Sequence, residues 1–275
     1  MKLAVFHDEI NKEDPARAIQ LAVDWGVTDL EVRNFPGGRF PRSDDGELEA
    51  FYARVQDAGL QISALSPGLF KCAIDDPSIA HTLANGVPRV CEWAQRWGAN
   101  RVSEFGFLRV EGQDVPSEVI DRLGEVVDKF QEGGCSVTLE NVAGCWGATG
   151  REAAKMIRQV GTDRLSLCWD PGNSARAGAS DPFPEEYAEI KDLVTHVHAK
   201  SYFPETGAWG LVGDGMVDWE GQMAALEADG FDGYVVVETH LKERPEEGVA
   251  APNGYSDLEA NTYHNFMYLK RYLEG

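Results

Sequence analysis

One phrase recurs along the chain: an amphipathic stretch at helical spacing, a glycine at its end, then a short run of β-branched and apolar residues. "AIQLAVDWG" leads to "VTDLEVR", "FYARVQDAG" to "LQISALS" and "VCEWAQRWG" to "ANRVSEF". "LGEVVDKFQEGG" leads to "CSVTLEN", "AAKMIRQVG" to "TDRLSLCWD" and "QMAALEADG" to "FDGYVVVETH". Alternation between a helical period and short apolar runs is the mark of parallel strands joined by crossover helices. With "LAVFHD" and "LVTHVHAKS" added there are eight strands, centred near residues 5, 31, 63, 103, 138, 168, 196 and 236. Their intervals, 26 to 40 residues, bracket the roughly 31 residues per unit of a 250-residue (β/α)8 barrel. An open doubly wound sheet would need a glycine fingerprint after the first strand. That strand runs into "FHDEINKEDP", which has none. The prediction is a single (β/α)8 TIM barrel over residues 1–275, closed by a last helix in "DLEANTYHNFMYLKRYLEG".

Local signals agree. Gly26, Gly59, Gly98, Gly133, Gly161 and Gly230 stand where each helix must stop in a left-handed turn. Asp14-Pro15, Ser43 and Ser117 are the expected caps or first-turn residues. Five cysteines without metal-binding spacing read as reduced thiols, which places the chain in the cytoplasm. No apolar run approaches the roughly 20 residues of a membrane helix, so no membrane partner is expected. A net charge of −21 repels phosphate backbones and excludes nucleic acid as a partner.

In a barrel of this kind the chemistry sits at the C-terminal strand ends. Strands five to eight end with Glu140 in "SVTLEN", Asp170 in "LSLCWD", His198 in "THVHAK" and Glu238 in "YVVVETH". The four are 30, 28 and 40 residues apart, about one βα unit each, so they converge on one side of the mouth. Three carboxylates and an imidazole suit one divalent ion, Mn²⁺ first among Mn²⁺, Mg²⁺, Co²⁺ and Zn²⁺, with positions left for substrate. Without a cation the carboxylates would repel, each at a burial cost on the order of several kcal/mol. Any one of them alone would read as a salt-bridge partner or a core histidine. Four in register on neighbouring strands read as a metal site.

At these residues the chain resembles the xylose isomerase-like superfamily of TIM barrels, which holds ketose 3-epimerases, hydroxypyruvate isomerases, inosose dehydratases and endonuclease IV. The resemblance covers essentially the whole length. It is carried by "GVTDLEVR", "AGLQISALSPG", "TLEN", "WDPGN", "HVHAKS", "GDGMVDW" and "GYVVVE" in that order. It implies one divalent metal on Glu140, Asp170, His198 and Glu238, with the second histidine of "HVHAKS" as the ligand. It further implies a small carbohydrate substrate, isomerised or epimerised by proton transfer through a metal-bound enediolate, with Glu140 and Glu238 as the proton-transferring carboxylates. A lyase on the same site, dehydrating an inosose-like ketone or cleaving a keto-glycoside, shares the first step. Many members read HxKD at strand seven, where this chain has Ser201. Ketose 3-epimerases carry a histidine and an arginine where it has Asn173 and Pro204. Only six histidines and the acidic charge set it apart from endonuclease IV. Similar enzymes form homo-oligomers, dimers or tetramers.

Around the ligands stand candidate substrate contacts. Lys200 either holds a substrate oxygen or pairs with a mouth carboxylate. His196, one strand step deeper than His198, is either a supporting core histidine or a substrate contact. His7, His240, Glu104, Asn173 and Trp146 complete the set. The loop "GAWGLVGDGMVDW" has three glycines and no basic residue, which points to a lid or tight turn and an unphosphorylated substrate. The segment "KERPEEGVAAPNGYSD" reads as a cover for the mouth, a contact with a neighbouring subunit or solvated surface.

Overall fold

The computed structural model describes residues 1–243, 245 and 249–273. Among these residues eight parallel strands close into a barrel in sequence order. They are β1 Lys2–Phe6, β2 Asp29–Val32, β3 Gln61–Leu65, β4 Arg101–Glu104, β5 Ser136–Glu140, β6 Leu165–Trp169, β7 Val194–Ala199 and β8 Tyr234–Val237. β1 closes the ring on β8, with Lys2 opposite Tyr234 and Val5 opposite Val237. No helix among the described residues is long and apolar enough to cross a membrane.

Strand alternation divides the side chains into two layers. Val5, Leu30, Val197, Val235 and Val237 face outward into the main core, packed against the surrounding helices. Ala4, Phe6 and Val236 face inward, where the lining also includes buried Glu31, His196 and His198. Helices supply the other half of the core: Ala18, Ile19, Leu21, Ala22 and Trp25 fall on one face of Pro15–Trp25.

Asp14 caps that helix by accepting from the Arg17 amide, with Pro15 at its first position. The other two expected caps are displaced. Asp44, one residue on from Ser43, caps Asp45–Asp57 by accepting from Gly46, while the Ser43 hydroxyl donates to the Gly38 carbonyl. Ser117–Glu132 begins after Pro116 without a side-chain cap, because the Pro116 ring already sets the entry backbone. Five of the six glycine stops take the left-handed conformation. The exception is Gly133, at φ −85°, which hands the turn to Gly134 at φ +79°. Gly133 is needed for space instead: a Cβ there would meet Cys91 Sγ at 2.3 Å.

The last helix, Asp257–Lys270, opens with a capping box between Ser256 and Glu259. It grips the start of the chain. Arg17 Nη2 and Asn11 Nδ2 donate to Glu259 at 2.8 and 2.9 Å, and Thr262 Oγ1 donates to the Glu9 carbonyl at 2.7 Å.

Candidate metal centre and active site

Each predicted ligand reaches the mouth from the end of its own strand. Glu140 is the last residue of β5, His198 lies in β7, and Asp170 and Glu238 directly follow β6 and β8. Backbone pairing fixes their heights: Glu140 lies opposite Cys168, and the Glu238 amide donates to the Ala199 carbonyl at 3.0 Å. One ligand atom from each of the four lies within 4.8 Å of the others, and all four residues are buried.

A divalent ion fits this donor set. His198 Nδ1 is buried without a hydrogen-bond partner, facing Glu140 Oε2 at 3.4 Å and Glu238 Oε2 at 3.5 Å. Its other nitrogen is held from behind, with Nε2 at 3.2 Å from Glu31 Oε1. A carboxylate that anchors the far nitrogen of a histidine, fixing tautomer and ring plane, is the usual support of a metal-binding imidazole. Glu31 also takes His196 Nε2 at 2.7 Å and the Ser66 hydroxyl at 2.5 Å. The two histidines of "THVHAKS" thus share one carboxylate, and His196 has the supporting role. Burial raises the Glu31 carboxyl, but the two imidazoles overcome it and leave the group far below the usual carboxylate range.

Asp170 divides its oxygens. Oδ1 caps the helix Pro171–Arg176 by accepting from the Asn173 amide at 2.8 Å, while Oδ2 lies 2.8 Å from Lys200 Nζ. Burial raises its carboxyl to about 6, with Lys200 pulling down and Glu238 and Glu140 pushing up. Lys200 therefore takes the pairing alternative: its ammonium bridges Asp170 and Glu238, the latter at 2.7 Å. Burial opposes its charge, but Asp170, Glu238 and Glu140 raise it above its ordinary value. Glu238 is surrounded, accepting from Arg33 Nη1 at 2.5 Å and lying 2.9 Å from His240 Nε2. Burial would raise its carboxyl; Lys200, His240 and Arg33 drive it well below the normal range. Glu140 has a lighter retinue, with Asn173 Nδ2 at 3.1 Å on Oε1.

A cavity of about 230 Å³ opens onto Glu140, Glu238, Asn173, Lys200 and His240. His240, at φ +54°, is held in place by Trp209, whose ring centroid lies 5.3 Å away. Trp209 arrives on a hairpin, Ser201–Phe203 with Ala208–Gly210, so the glycine-containing loop after β7 starts as an ordered turn over the mouth.

Four of the expected substrate contacts lie away from this cavity. His7 is buried between Phe35 and Phe51, each ring 4.8 Å away, and its Nδ1 meets the Glu31 carbonyl. His7 lies one residue past β1 and opens the helix His7–Asn11, which packs its ring among Phe35 and Phe51. His196 sits below the ligands, on Glu31. Glu104 accepts from the Leu69 amide at 2.9 Å, and burial raises its carboxyl to about 8. Trp146 is buried behind the mouth, its strand residue paired with Gly106. Two further site residues, Glu31 and Arg33, are signalled only by the alternate charges of "LEVR", at the end of an otherwise apolar run. Arg33 gathers Asp8 at 2.9 Å, Glu9 at 2.5 Å and Glu238. Of the segment after β8, Arg244 and residues 246–248 lie outside the described residues. Lys242 and Ser256 line a second cavity of about 670 Å³ beside the mouth, with His240 and Arg33 in the shared wall.

The model of the xylose isomerase-like TIM barrel matches residues 19–255. The chain belongs to that family. Its xylose isomerase-like barrel is 24% identical over 162 residues to inosose dehydratase of Lacticaseibacillus casei, across 52% of this chain and 53% of that protein. The chain thus spans about half the length of the curated relatives it matches. Among solved structures, D-allulose 3-epimerase from Methylomonas sp. in complex with D-allulose superposes with a TM-score of 0.75 at 16% identity, over 98% of this chain and 96% of the other. A xylose isomerase-like TIM barrel protein from Mycobacterium smegmatis in complex with magnesium gives a TM-score of 0.69 at 21% identity, over 99% and 96%. These likenesses establish the fold.

Proposed function

We propose that this xylose isomerase-like barrel is a divalent-metal-dependent isomerase or epimerase of a small sugar or keto-sugar. The reading is carried by one observation: Glu140, Asp170, His198 and Glu238 converge within 4.8 Å around an unpartnered imidazole nitrogen, at the opening of a small cavity. Those four residues would hold the ion, Mn²⁺ in our reading, and the cytoplasm is the compartment we assign. A bound divalent cation supplies Lewis-acid polarisation of a carbonyl and so acidifies the neighbouring C–H.

The chain's own groups then divide the work. Glu140, whose Oε1 takes Asn173 and whose Oε2 lies 3.4 Å from His198 Nδ1, has no lysine or arginine ion pair among the described residues and is the carboxylate placed to take a proton from carbon. Lys200 and Arg33 hold Glu238 in a single orientation and keep it ionised. His240 stands at the cavity wall beside Glu238, within reach of a substrate hydroxyl. The Trp209 hairpin screens the mouth from water.

The same occupancy favours a second reading. An epimerase that works from both faces needs a second carboxylate free to trade protons, and Glu238 meets Arg33, Lys200 and His240 at once. One free base and a hydroxyl leaving beside His240 suit a dehydratase, the activity named for the Lacticaseibacillus casei relative.

Elemental analysis of the purified protein, beside an Asp170→Ala variant, tests the metal reading. About one ion per chain is expected, lost in the variant. A wild type that stays empty after Mn²⁺ is added back would refute it. Deuterium incorporation next to a ketose carbonyl with return of a sugar product selects the isomerase, and growth of enone absorbance selects the dehydratase.

A further inference from the structure

The cavity above the ligands has a charge opposite to that of the protein. The chain carries 46 acidic and 25 basic residues, yet the cavity is lined by five basic side chains (Arg33, Arg39, Lys71, Arg176, Lys200) and two acidic ones, Glu140 and Glu238. Arg33 and Lys200 are already matched by Asp8, Glu9, Asp170 and Glu238. Arg39, Lys71 and Arg176 form no ion pair among the described residues.

These three cations are placed. Arg39 donates from Nε to the Pro67 carbonyl at 2.8 Å and from Nη2 to the Ser66 carbonyl at 2.8 Å, which leaves Nη1 without a partner. Its guanidinium lies 5.7 Å from the Phe105 ring, and Lys71 Nζ lies 4.8 Å from the same ring. Gly68 makes the room: a Cβ there would meet the Arg39 guanidinium at 2.8 Å and Phe105 at 2.9 Å, on a backbone at φ +57°. Arg176 lies 5.3 Å from the Trp209 ring. Carbonyl oxygens and aromatic faces orient cations without neutralising them. The three come from the connections that follow β2, β3 and β6, Arg176 at the end of the helix Pro171–Arg176, whereas the loop after β7, where a phosphate cradle would be sought, holds no basic residue between Gly207 and Trp219.

We propose that the substrate carries an anionic group, a carboxylate or a phosphate ester, and that Arg39, Lys71 and Arg176 bind it while the carbons to be deprotonated face Glu140. This names the substrate class of the catalytic site argued above and rests on that reading. A neutral sugar would leave these three charges on one cavity to water alone, whereas an oxyanion matches the free edge of a fixed guanidinium.

Isothermal titration with D-ribulose, D-ribonate and D-ribulose 5-phosphate, on protein loaded with Mg²⁺, tests it. At least one of the two anions is expected to bind about tenfold or more tightly than D-ribulose, with the gap narrowing as salt is raised. Which anion leads separates carboxylate from phosphate. Lys71→Ala combined with Arg176→Ala, both exposed positions, should remove most of the gap, and Arg39→Met the remainder. Equal affinities, no heat from either anion, or a gap untouched in both variants would overturn the proposal. Mg²⁺ binding to the wild type and to Asp170→Ala is measured alongside. A protein that takes up no ion sinks the catalytic reading alone, and the same titrations without metal then decide the anion preference.

Discussion

The two halves of the barrel mouth are built on different plans. Strands β5 to β8 deliver the groups that converge on one point: Glu140, Asp170, His198 and Glu238. The half formed by β1 to β4 delivers the groups that hold these in place, Glu31 behind His198 and Arg33 against Glu238, with Asp8 and Glu9 behind Arg33. One half carries the converging donor set, and the other adds Arg33 to the charge balance that Lys200 begins, which lets so many buried carboxylates coexist. A buried donor set of this kind in an acidic protein therefore depends on partners from across the ring as much as on its own four residues.

The largest effect should come from removing the supporting half's main cation. Arg33→Met leaves Asp8, Glu9 and Glu238 buried without it, and stability by urea unfolding is expected to fall by about 3–5 kcal/mol. A loss under about 1 kcal/mol would mean the supporting half bears no such burden. Next, Glu31→Gln should lower divalent-metal affinity by roughly 10- to 100-fold, read by titration, while all four ligands remain. Unchanged affinity would break the division between the halves.

Glu104 sharpens the comparison from inside the β1–β4 half. Its folded-state pKa, about 8, is raised by burial from an ordinary 4.5, with Arg39 and nearby backbone amides partly offsetting. A raised carboxyl contributes its stability fully below the ordinary value and loses it as pH climbs through about 8. Glu104→Gln escapes that loss. Its melting temperature should exceed the wild type's at pH 9 by more than at pH 6, a relative gain on the order of 1 kcal/mol. A constant difference between the two pH values would show that Glu104 does not titrate there. The smallest effect is expected at Trp209→Ala, which removes ring contacts to Lys200 and Arg176 worth about 0.5–1 kcal/mol each. Metal affinity should stay as it was, and a large fall would move the hairpin into the ligand-holding role.

What the sequence disclosed follows the same division. The strand count and the convergence of the four strand-end residues are legible because both depend on local period and on position within one βα unit. Glu140, Asp170, His198 and Glu238 each stand at the end of an apolar run, so the strand itself points at them. Glu31 stands on β2 and Arg33 directly follows it, but their roles are defined by His196, 165 residues away from Glu31, and by Glu238, 205 residues away from Arg33. Nothing in the stretch "DLEVR" carries that information before the ring closes. His7 failed for a related reason: the turn after β1 is helical from His7 itself, which swings the ring among Phe35 and Phe51 instead of into the mouth. The caps at Ser43 and Ser117 slipped because the neighbouring Asp44 and Pro116 set those helix starts.

The grip of the last helix on the first loop has a consequence for how the protein is made. Asp8 and Glu9 hold Arg33, and Glu9 is in turn held through its carbonyl by Thr262. On a ribosome, Asp8, Glu9 and Arg33 emerge long before residues 257–270 can dock on them. Such contacts between distant parts of a chain form late and slowly, so the carboxylates around Arg33 gain this brace only once residues 257–270 have been made.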